Sequence, residues 1–498
     1  MLSQLTGSLT VMNPTIPSLY ALPKIHKENC PMRPIVSYTN APASKLCKHL
    51  NSILPDMIQH DPIYSIKNNI QLTNELKTLK IPTNARLVSF DVVNLFPSIP
   101  TTEVEYLVNQ QLDENPSITA YMKEETMRLL KICLGQSYFK FNEKFYQQLD
   151  GLPMGSPSSN LFSEIFMTAL EKKIFSPANV NLTDFVLYWK RYVDDIFCIW
   201  TGSNSELESF LELINSFYSS IQFTLEIEDN NKCLNFLDIQ VKIINEHLEF
   251  NIYRKPTFSD ILIHNSSSHP FKIKMSAFHT LVHRLISIPL SATNFDNEVQ
   301  ILKVLAKNNG YHPDIINKLI FKKQQKRLLT LVYPPQLENQ MKKFVYINYI
   351  PSLSDKLCKR IRKNDIDVIC TNKKNLRTMF FSGKNRLNIS QLSGVYKLFC
   401  DECPAFYIGQ TGRSLGIRIE EHKRSILQNK STTGFSNHCI TSNHFIDFNK
   451  TKILHRGDKG KRLDLLEFLE ISSAQKQNLP IVNDQLDFRL SPVLTSVT

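Results

Sequence analysis

The sequence predicts a multidomain α+β protein, and three observations support that class. At 498 residues the chain is longer than one hydrophobic core organises, so two to four domains are expected. Strand-like and helix-like apolar patterns are mixed over residues 1–265. Composition then changes twice, which divides the chain into 1–265, a basic block at 266–387 and a compact final segment at 388–498. An apolar share of 42% with 10% aromatic residues is ordinary for globular proteins and argues against wholesale disorder.

The same composition excludes several classes. No stretch approaches the roughly 18 uninterrupted apolar residues of a membrane span, so no membrane partner is expected. The N-terminal residues MLSQLTGSLTVMNPTIPSLY show no basic flank followed by an apolar block, which excludes a secretory signal there. Ten cysteines are scattered, and only Cys400 and Cys403 are closely paired. That pattern favours a reducing compartment with one metal site over a disulfide framework. Repeats at solenoid periods and low-complexity tracts are not visible.

In chain order, RLVSFDVVNLF (Arg86 to Phe96) reads as a strand running into a turn. GLPMGSPSSN is a Gly/Pro loop, and Leu161, Phe162, Ile165, Phe166, Ala169 and Leu170 after it keep a helical stripe, with Ser158 as candidate N-cap. KRYVDDIFCIW (Lys190 to Trp200) reads as two buried strands joined at Asp194 and Asp195. From Lys272 to Arg386 there are 22 Lys or Arg against 7 Asp or Glu, in helical patches broken by loops such as KNNGYHPD and VYPPQ. A solvated helical face would mix signs, so this surplus points to a polyanionic partner.

Two adjacent carboxylates at the tip of an apolar hairpin repel one another unless something positive neutralises them. Metal-assisted phosphoryl transfer needs hard oxygen ligands converging from separate strands. Asp194 and Asp195 supply two, and Asp91, at the end of its own apolar run, is placed to supply the third. A carboxylate strand, a Gly/Pro loop leading into a helix, and an Asp-Asp hairpin, in that order, are far more specific than any one of them.

Together FDVVNLFPSIP, GLPMGSPSSN and YVDD resemble motifs A, B and C of the reverse transcriptases, and YALPKIHK and MRPIVSYTNAPASKL resemble their fingers. The resemblance implies a right-hand fold of palm and fingers with a mainly helical thumb and connector. It implies that Asp91, Asp194 and Asp195 hold two Mg2+ ions, that Lys24 and Arg33 contact the incoming triphosphate, and that Phe96 is the bulky gate against a ribose 2′-hydroxyl. Met154 and Gly155 would line the nucleotide pocket, and YRKPT (Tyr253 to Thr257) would fall near the primer grip. LPKIHK with RPIVS, and YRKPTFSDILIHNSSSHPFKIK, are similar to the Penelope-like retroelements, as is YIPSLSDKLCKRIRKNDI. The basic block would then grip the template–primer backbone without reading sequence, with His283 and Arg284 as structural members of the thumb. That family carries a substantial region ahead of the fingers, longer than the about twenty residues preceding LPKIHK here.

In the final segment GVY (Gly394 to Tyr396) and YIG (Tyr407 to Gly409), followed by GRSLGIRIEEH, resemble the GIY-YIG endonuclease, a small α+β fold. This resemblance implies that Tyr396 and Tyr407 orient or deprotonate the attacking water and that Arg418 stabilises the developing phosphorane charge, with His422 one helical turn further on. An acid in RLDLLEFLEI would hold one Mg2+; Glu467 fits best and Glu470 is the rival. Asn483 matches a polar position that closes the module. Two cysteines at x-x spacing, Cys400 and Cys403, and two later histidines, His438 and His444, can close a tetrahedral Zn2+ site. Penelope-type modules carry such a set at matching places, which implies structural zinc.

The implied function is an RNA-directed DNA polymerase coupled to a DNA-nicking endonuclease, for target-primed reverse transcription and integration. Its partners would be template RNA, primer and target DNA, and deoxynucleoside triphosphates, and its location the nucleus after synthesis in the cytoplasm. Two alternatives stay open. One is a nuclease whose palm is a non-catalytic scaffold; the other is a truncated or decayed copy that only binds nucleic acid.

Overall fold

A computed structural model describes residues 9–25, 29–332, 343–350, 353–364, 366–371, 388–445, 448–457 and 459–484. The cations of the basic block at 333–342 and 372–387 lie outside the described residues. The chain divides into two compact units, one of residues 16–39 and 43–375, the other of residues 1–15, 40–42 and 376–498. No helix among the described residues is long and apolar enough to cross a membrane.

In the larger unit, β1 (Ser18–Pro23) and β2 (Met32–Ser37) pair antiparallel. Strand β3 is Arg86–Val92, and the hairpin of β4 (Tyr138–Phe141) and β5 (Lys144–Gln147) extends the first sheet in the order β2-β1-β4-β5. β6 (Val186–Tyr192), β7 (Asp195–Trp200) and β8 (Phe223–Ile227) join β3 in a second, antiparallel sheet of order β6-β7-β3-β8. Strands β9 (Cys233–Phe236), β10 (Ile239–Ile244) and β11 (His247–Ile252) form a meander beside it.

The run DIFCIW is apolar without alternation because β7 is covered on both faces. Ile196, Cys198 and Trp200 enter one core with Phe162, Ile165, Phe166 and Leu170 of helix α1 (Ser159–Ile174). Phe197 and Ile199 enter the other, with Leu234, Phe236, Val241 and Phe250 of the meander. Each fully buried Phe contributes roughly 2–3 kcal/mol of apolar transfer, so the strand carrying Asp195 is held from both sides. Ser158 does sit at the N-cap position of α1, but its side chain makes no capping bond. Its hydroxyl lies 3.2 Å from Ser156 Oγ instead, because the tight Gly/Pro loop turns it inward.

Helices α2 (Ser276–Ser287), α3 (Ala292–Asn308) and α4 (Asp314–Val332) share a core that includes Phe278, Val282, Leu302, Leu305 and Ile316. Arg284 donates to Asp238 at 2.7 Å and His283 Nδ1 lies 2.7 Å from Ser287 Oγ, so both serve local structure. Arg254, in YRKPT, pairs with the nearly buried Glu298 of α3. Beyond α4, helix α5 (Leu353–Ile361) links the parallel strands β12 (Lys343–Asn348) and β13 (Ile366–Thr371).

The smaller unit is built on an antiparallel sheet of order β15-β14-β16, from β14 (Gly394–Phe399), β15 (Phe406–Thr411) and β16 (Lys452–Arg456). Helices α6 (Leu415–Leu427), α7 (Gly434–Ser442) and α8 (Lys461–Lys476) cover it. The two-residue period of β14 divides the cores: Val395 packs with Leu463 and Ile471 of α8, whereas Tyr396 and Leu398 pack with Leu415 of α6 and Phe435 of α7.

Candidate active sites

In the larger unit the antiparallel register pairs Asp91 with Asp195 across β3 and β7. The Val92 N–H donates to the Asp194 carbonyl at 3.1 Å, which fastens the hairpin tip to the end of β3. Three half-buried carboxylates therefore collect at one end of the sheet. Burial, and secondarily the charge of Asp91, raises the pKa of Asp194, while Arg33 and Lys24 oppose that rise. The same two cations identified in the sequence thus lie within electrostatic reach of Asp194. They stand on adjoining parts of the β1–β2 hairpin, where Arg33 pairs with Leu22 and the Lys24 N–H donates to the Pro31 carbonyl at 2.9 Å.

Between the tip's strands, Val193 has φ +59°. A β-branched residue in this left-handed region is strained, and such strain concentrates at functional sites.

The Gly/Pro loop is clamped between the turn after β3 and strand β2. Leu152 N–H donates to the Phe96 carbonyl at 2.7 Å, and Val36 N–H donates to the Met154 carbonyl at 2.8 Å. Gly151 (φ +84°) and Gly155 (φ +117°) are required there. A β-carbon would lie 2.1 Å from the Pro97 carbonyl oxygen in the first and 2.2 Å from the Val36 oxygen in the second. Phe96 is half-buried against the core. Phe96, Met154 and Gly155 are thereby brought into one loop assembly. The carboxylate set has the hard oxygen chemistry that suits magnesium, so the residues fit that ion.

In the smaller unit Tyr396 is opposite Gly409 in the β14–β15 register. A β-carbon at Gly409 would come within 2.7 Å of Tyr396 Oη and 2.6 Å of the Tyr407 ring, so only glycine lets both phenols approach. Tyr396 is fully buried, and burial keeps its phenol protonated well above the usual range. Its Oη lies 2.8 Å from His422 Nε2 and accepts from Arg418 Nε at 3.2 Å. Burial, then the Arg418 charge, lowers His422 to about 4, so the imidazole is neutral at pH 7. Glu421 accepts from Arg418 at 2.8 Å and also pairs with Arg413.

The two acids left open by the sequence separate clearly. Glu470 lies 2.6 Å from His455 Nε2 on β16. Glu467 is half-buried, feels the Arg418 charge, and acts electrostatically on both Tyr396 and Tyr407. Its carboxyl is raised by burial and opposed by a bond from Gln410, which also donates to Asp464 at 2.7 Å. Glu467, the carboxylate of the pair within electrostatic reach of both tyrosines, fits a hard cation. Asn483 uses its amide on the backbone: its Oδ1 accepts from Ile408 N–H at 3.0 Å and its Nδ2 donates to the Ile408 carbonyl at 2.6 Å. It positions β15 beside Tyr407. Sequence reasoning missed Glu421 and Gln410. The first carries a signal in its i,i+3 spacing from Arg418; the second carries none.

The ligand atoms of Cys400, Cys403, His438 and His444 all lie within 4.8 Å of one another. Cys400 Sγ is 3.4 Å from His444 Nδ1, Cys403 Sγ is 3.4 Å from His438 Nε2, and the two histidine nitrogens are 3.4 Å apart. Tetrahedral zinc with nitrogen and sulfur ligands needs edges of roughly 3.3–3.8 Å, so the set fits zinc. The far nitrogen of His444 points toward Glu402, 3.9 Å away, as an outer carboxylate would orient a ligand. Cys439 is buried nearby in the core of α7 and outside this set.

Residues 25–272 match the family described as reverse transcriptase (RNA-dependent DNA polymerase), and residues 261–321 match the family described as animal helix-turn-helix domain. The retron Ec73 reverse transcriptase of Escherichia coli is 27% identical over 157 residues, 30% of this chain and 42% of that protein. The chain thus spans less than half the length of that relative. Among solved structures, telomerase from Candida albicans in complex with a TWJ fragment of telomeric RNA is 11% identical, with a TM-score of 0.44 over 67% of this chain and 62% of that one. Apo telomerase from Candida tropicalis is 12% identical, with a TM-score of 0.40 over 65% of this chain and 58% of that one.

Proposed function

We propose, from the reverse transcriptase domain that residues 25–272 form, that this chain is the RNA-directed DNA polymerase of a Penelope-like retroelement, coupled to a DNA-nicking GIY-YIG endonuclease. The observation that carries the polymerase reading is the register pairing of Asp91 with Asp195, with Asp194 fastened beside them and Lys24 and Arg33 within electrostatic reach.

Asp91, Asp194 and Asp195 would hold two magnesium ions. Bound there, magnesium supplies the positive charge that activates a 3′-hydroxyl and neutralises the leaving pyrophosphate. Lys24 and Arg33 bind the triphosphate as cations on its path. Phe96 fills the space a ribose 2′-hydroxyl needs, and the Met154–Gly155 turn forms the floor against which the incoming nucleotide orients.

In the second activity, Tyr396 keeps its proton and orients the attacking water, its hydroxyl held by the neutral His422 imidazole. Tyr407 supports the same water. Arg418 stabilises charge on the pentavalent phosphorus, Glu467 would hold one magnesium ion, and Asn483 steadies β15. Zinc on Cys400, Cys403, His438 and His444 would tie the loop after β14 to helix α7. The helices of residues 261–321, whose family name describes a helix-turn-helix, would hold duplex backbone together with the cations of α4. Template RNA, primer and target DNA, and deoxynucleoside triphosphates are the partners this reading requires, and the nucleus is where they meet.

The test is primer extension on an RNA template by the purified chain, with plasmid nicking run in parallel. Magnesium-dependent DNA synthesis that Asp194→Asn abolishes supports the polymerase reading. Nicking without synthesis would leave the palm a scaffold, and neither activity would leave a nucleic-acid-binding protein.

A further inference from the structure

The side chain behind the Asp-Asp tip is Arg191, fully buried near the end of β6. Its partners are Glu164 and Glu171, two turns apart on one face of α1, the helix that follows the Gly/Pro loop. Nε donates to Glu171 at 2.9 Å. One terminal nitrogen donates to both Glu164 and Glu171 at 3.1 Å. The other donates to Glu164 at 3.0 Å and to the Val193 carbonyl at 3.3 Å. All five guanidinium donors are therefore used, a set that lysine cannot reproduce. The backbone is pinned as well: Arg191 N–H donates to Tyr64, and its carbonyl accepts from Ile66.

Two features set this cluster apart from an ordinary core ion pair. It sets one buried and one half-buried carboxylate against a single buried cation, an arrangement with no net stabilisation to recommend it over apolar packing. Its fifth bond ends on Val193, whose left-handed backbone (φ +59°) sits directly before Asp194. A β-branched residue does not hold that conformation by local preference. We propose that Arg191 is a positioning residue for the carboxylate tip: the guanidinium, oriented by Glu164 and Glu171, holds the Val193 carbonyl and so fixes where Asp194 and Asp195 present their oxygens. The inference rests on the polymerase reading of that site. It also couples α1, and through it the Gly/Pro loop, to the hairpin that carries the acids.

The experiment is Mn2+ titration of the full chain, with Asp194→Asn subtracted to remove ions bound elsewhere. The variants are Arg191→Lys and, should that fold poorly, Arg191→Met with Glu164→Gln and Glu171→Gln, which removes all three charges together. Circular dichroism establishes folding. At least a tenfold loss of Mn2+ affinity is expected, with recovery to within threefold of the parent when Val193→Gly is added, because glycine adopts the left-handed turn without the tether. A merely structural arginine would not be rescued by that glycine. Affinity within threefold of the parent in either folded variant, or failure of Val193→Gly to restore it, overturns the proposal. Absence of primer extension in the unaltered chain would count against the polymerase reading alone, since the titration still reads the tip.

Discussion

Asp91 and Asp195 are register partners across β3 and β7. Because Asp194 is fastened to the end of β3 through Val92, acids that are a hundred residues apart in the chain act as one cluster.

If that cluster holds magnesium, Asp194→Asn lowers RNA-templated extension on the order of 1,000-fold, about 4 kcal/mol of transition-state stabilisation. Plasmid nicking in the same preparation should be unchanged. Extension near the parent rate would remove the palm assignment.

The loop glycine offers a steric test. Gly155→Ala places a β-carbon against the Val36 carbonyl at φ +117°, a cost of about 2 kcal/mol or more in strain and displaced backbone. The expected result is a lower melting temperature for the larger unit and a raised KM for nucleotide. An unaltered KM would separate this loop from the nucleotide pocket.

Phe96→Ala should relax sugar discrimination, since the Phe96 backbone is tied to Leu152 of the Gly/Pro loop that also carries Met154 and Gly155. Incorporation of ribonucleotides relative to deoxyribonucleotides is the measurement, and an unchanged ratio would sink the gate assignment.

Stability of the smaller unit should fall in acid. The unfolded chain protonates His422 near 6.5, whereas burial delays protonation in the folded unit to about 4. Folding stability is therefore full above pH 6.5 and declines as pH falls toward 4, by about 3 kcal/mol in total. His422→Gln should flatten that part of the profile, read by denaturant unfolding at pH 4.5 and 7.

Zinc analysis of the whole chain should find one ion. Cys400→Ser or chelation should loosen the smaller unit by a few kcal/mol, roughly 10 °C in melting temperature. Arg418→Ala and Glu467→Gln should instead abolish nicking with zinc content and melting temperature intact. A folded, active and zinc-free protein would refute the four-ligand site.

The sequence by itself determined the features that depend on short stretches of chain. The apolar runs around Asp91 and Asp195, the Gly/Pro loop and its helix, the paired cysteines and the basic block all act through local periodicity or residue chemistry. The strands and helix that carry the acids and the Gly/Pro loop are found where those patterns put them, whereas the basic block, read as helical patches, also holds the paired strands β12 and β13. The tertiary structure alone decided what depends on packing between distant segments. Sequence left Glu467 and Glu470 as rivals on one helix. They were separated by what each carboxylate meets, since Glu470 pairs with His455 while Glu467 acts electrostatically on the tyrosines. Asn483 matched a polar position closing the module, and only the fold decides that its amide clasps the Ile408 backbone. The Arg191 cluster had no signature at all, because Glu164, Glu171 and Val193 meet its five donors only once α1 has packed on β6. Hydrophobic period is written along the chain, but the partner of a buried charge is chosen by the fold that removes it from water.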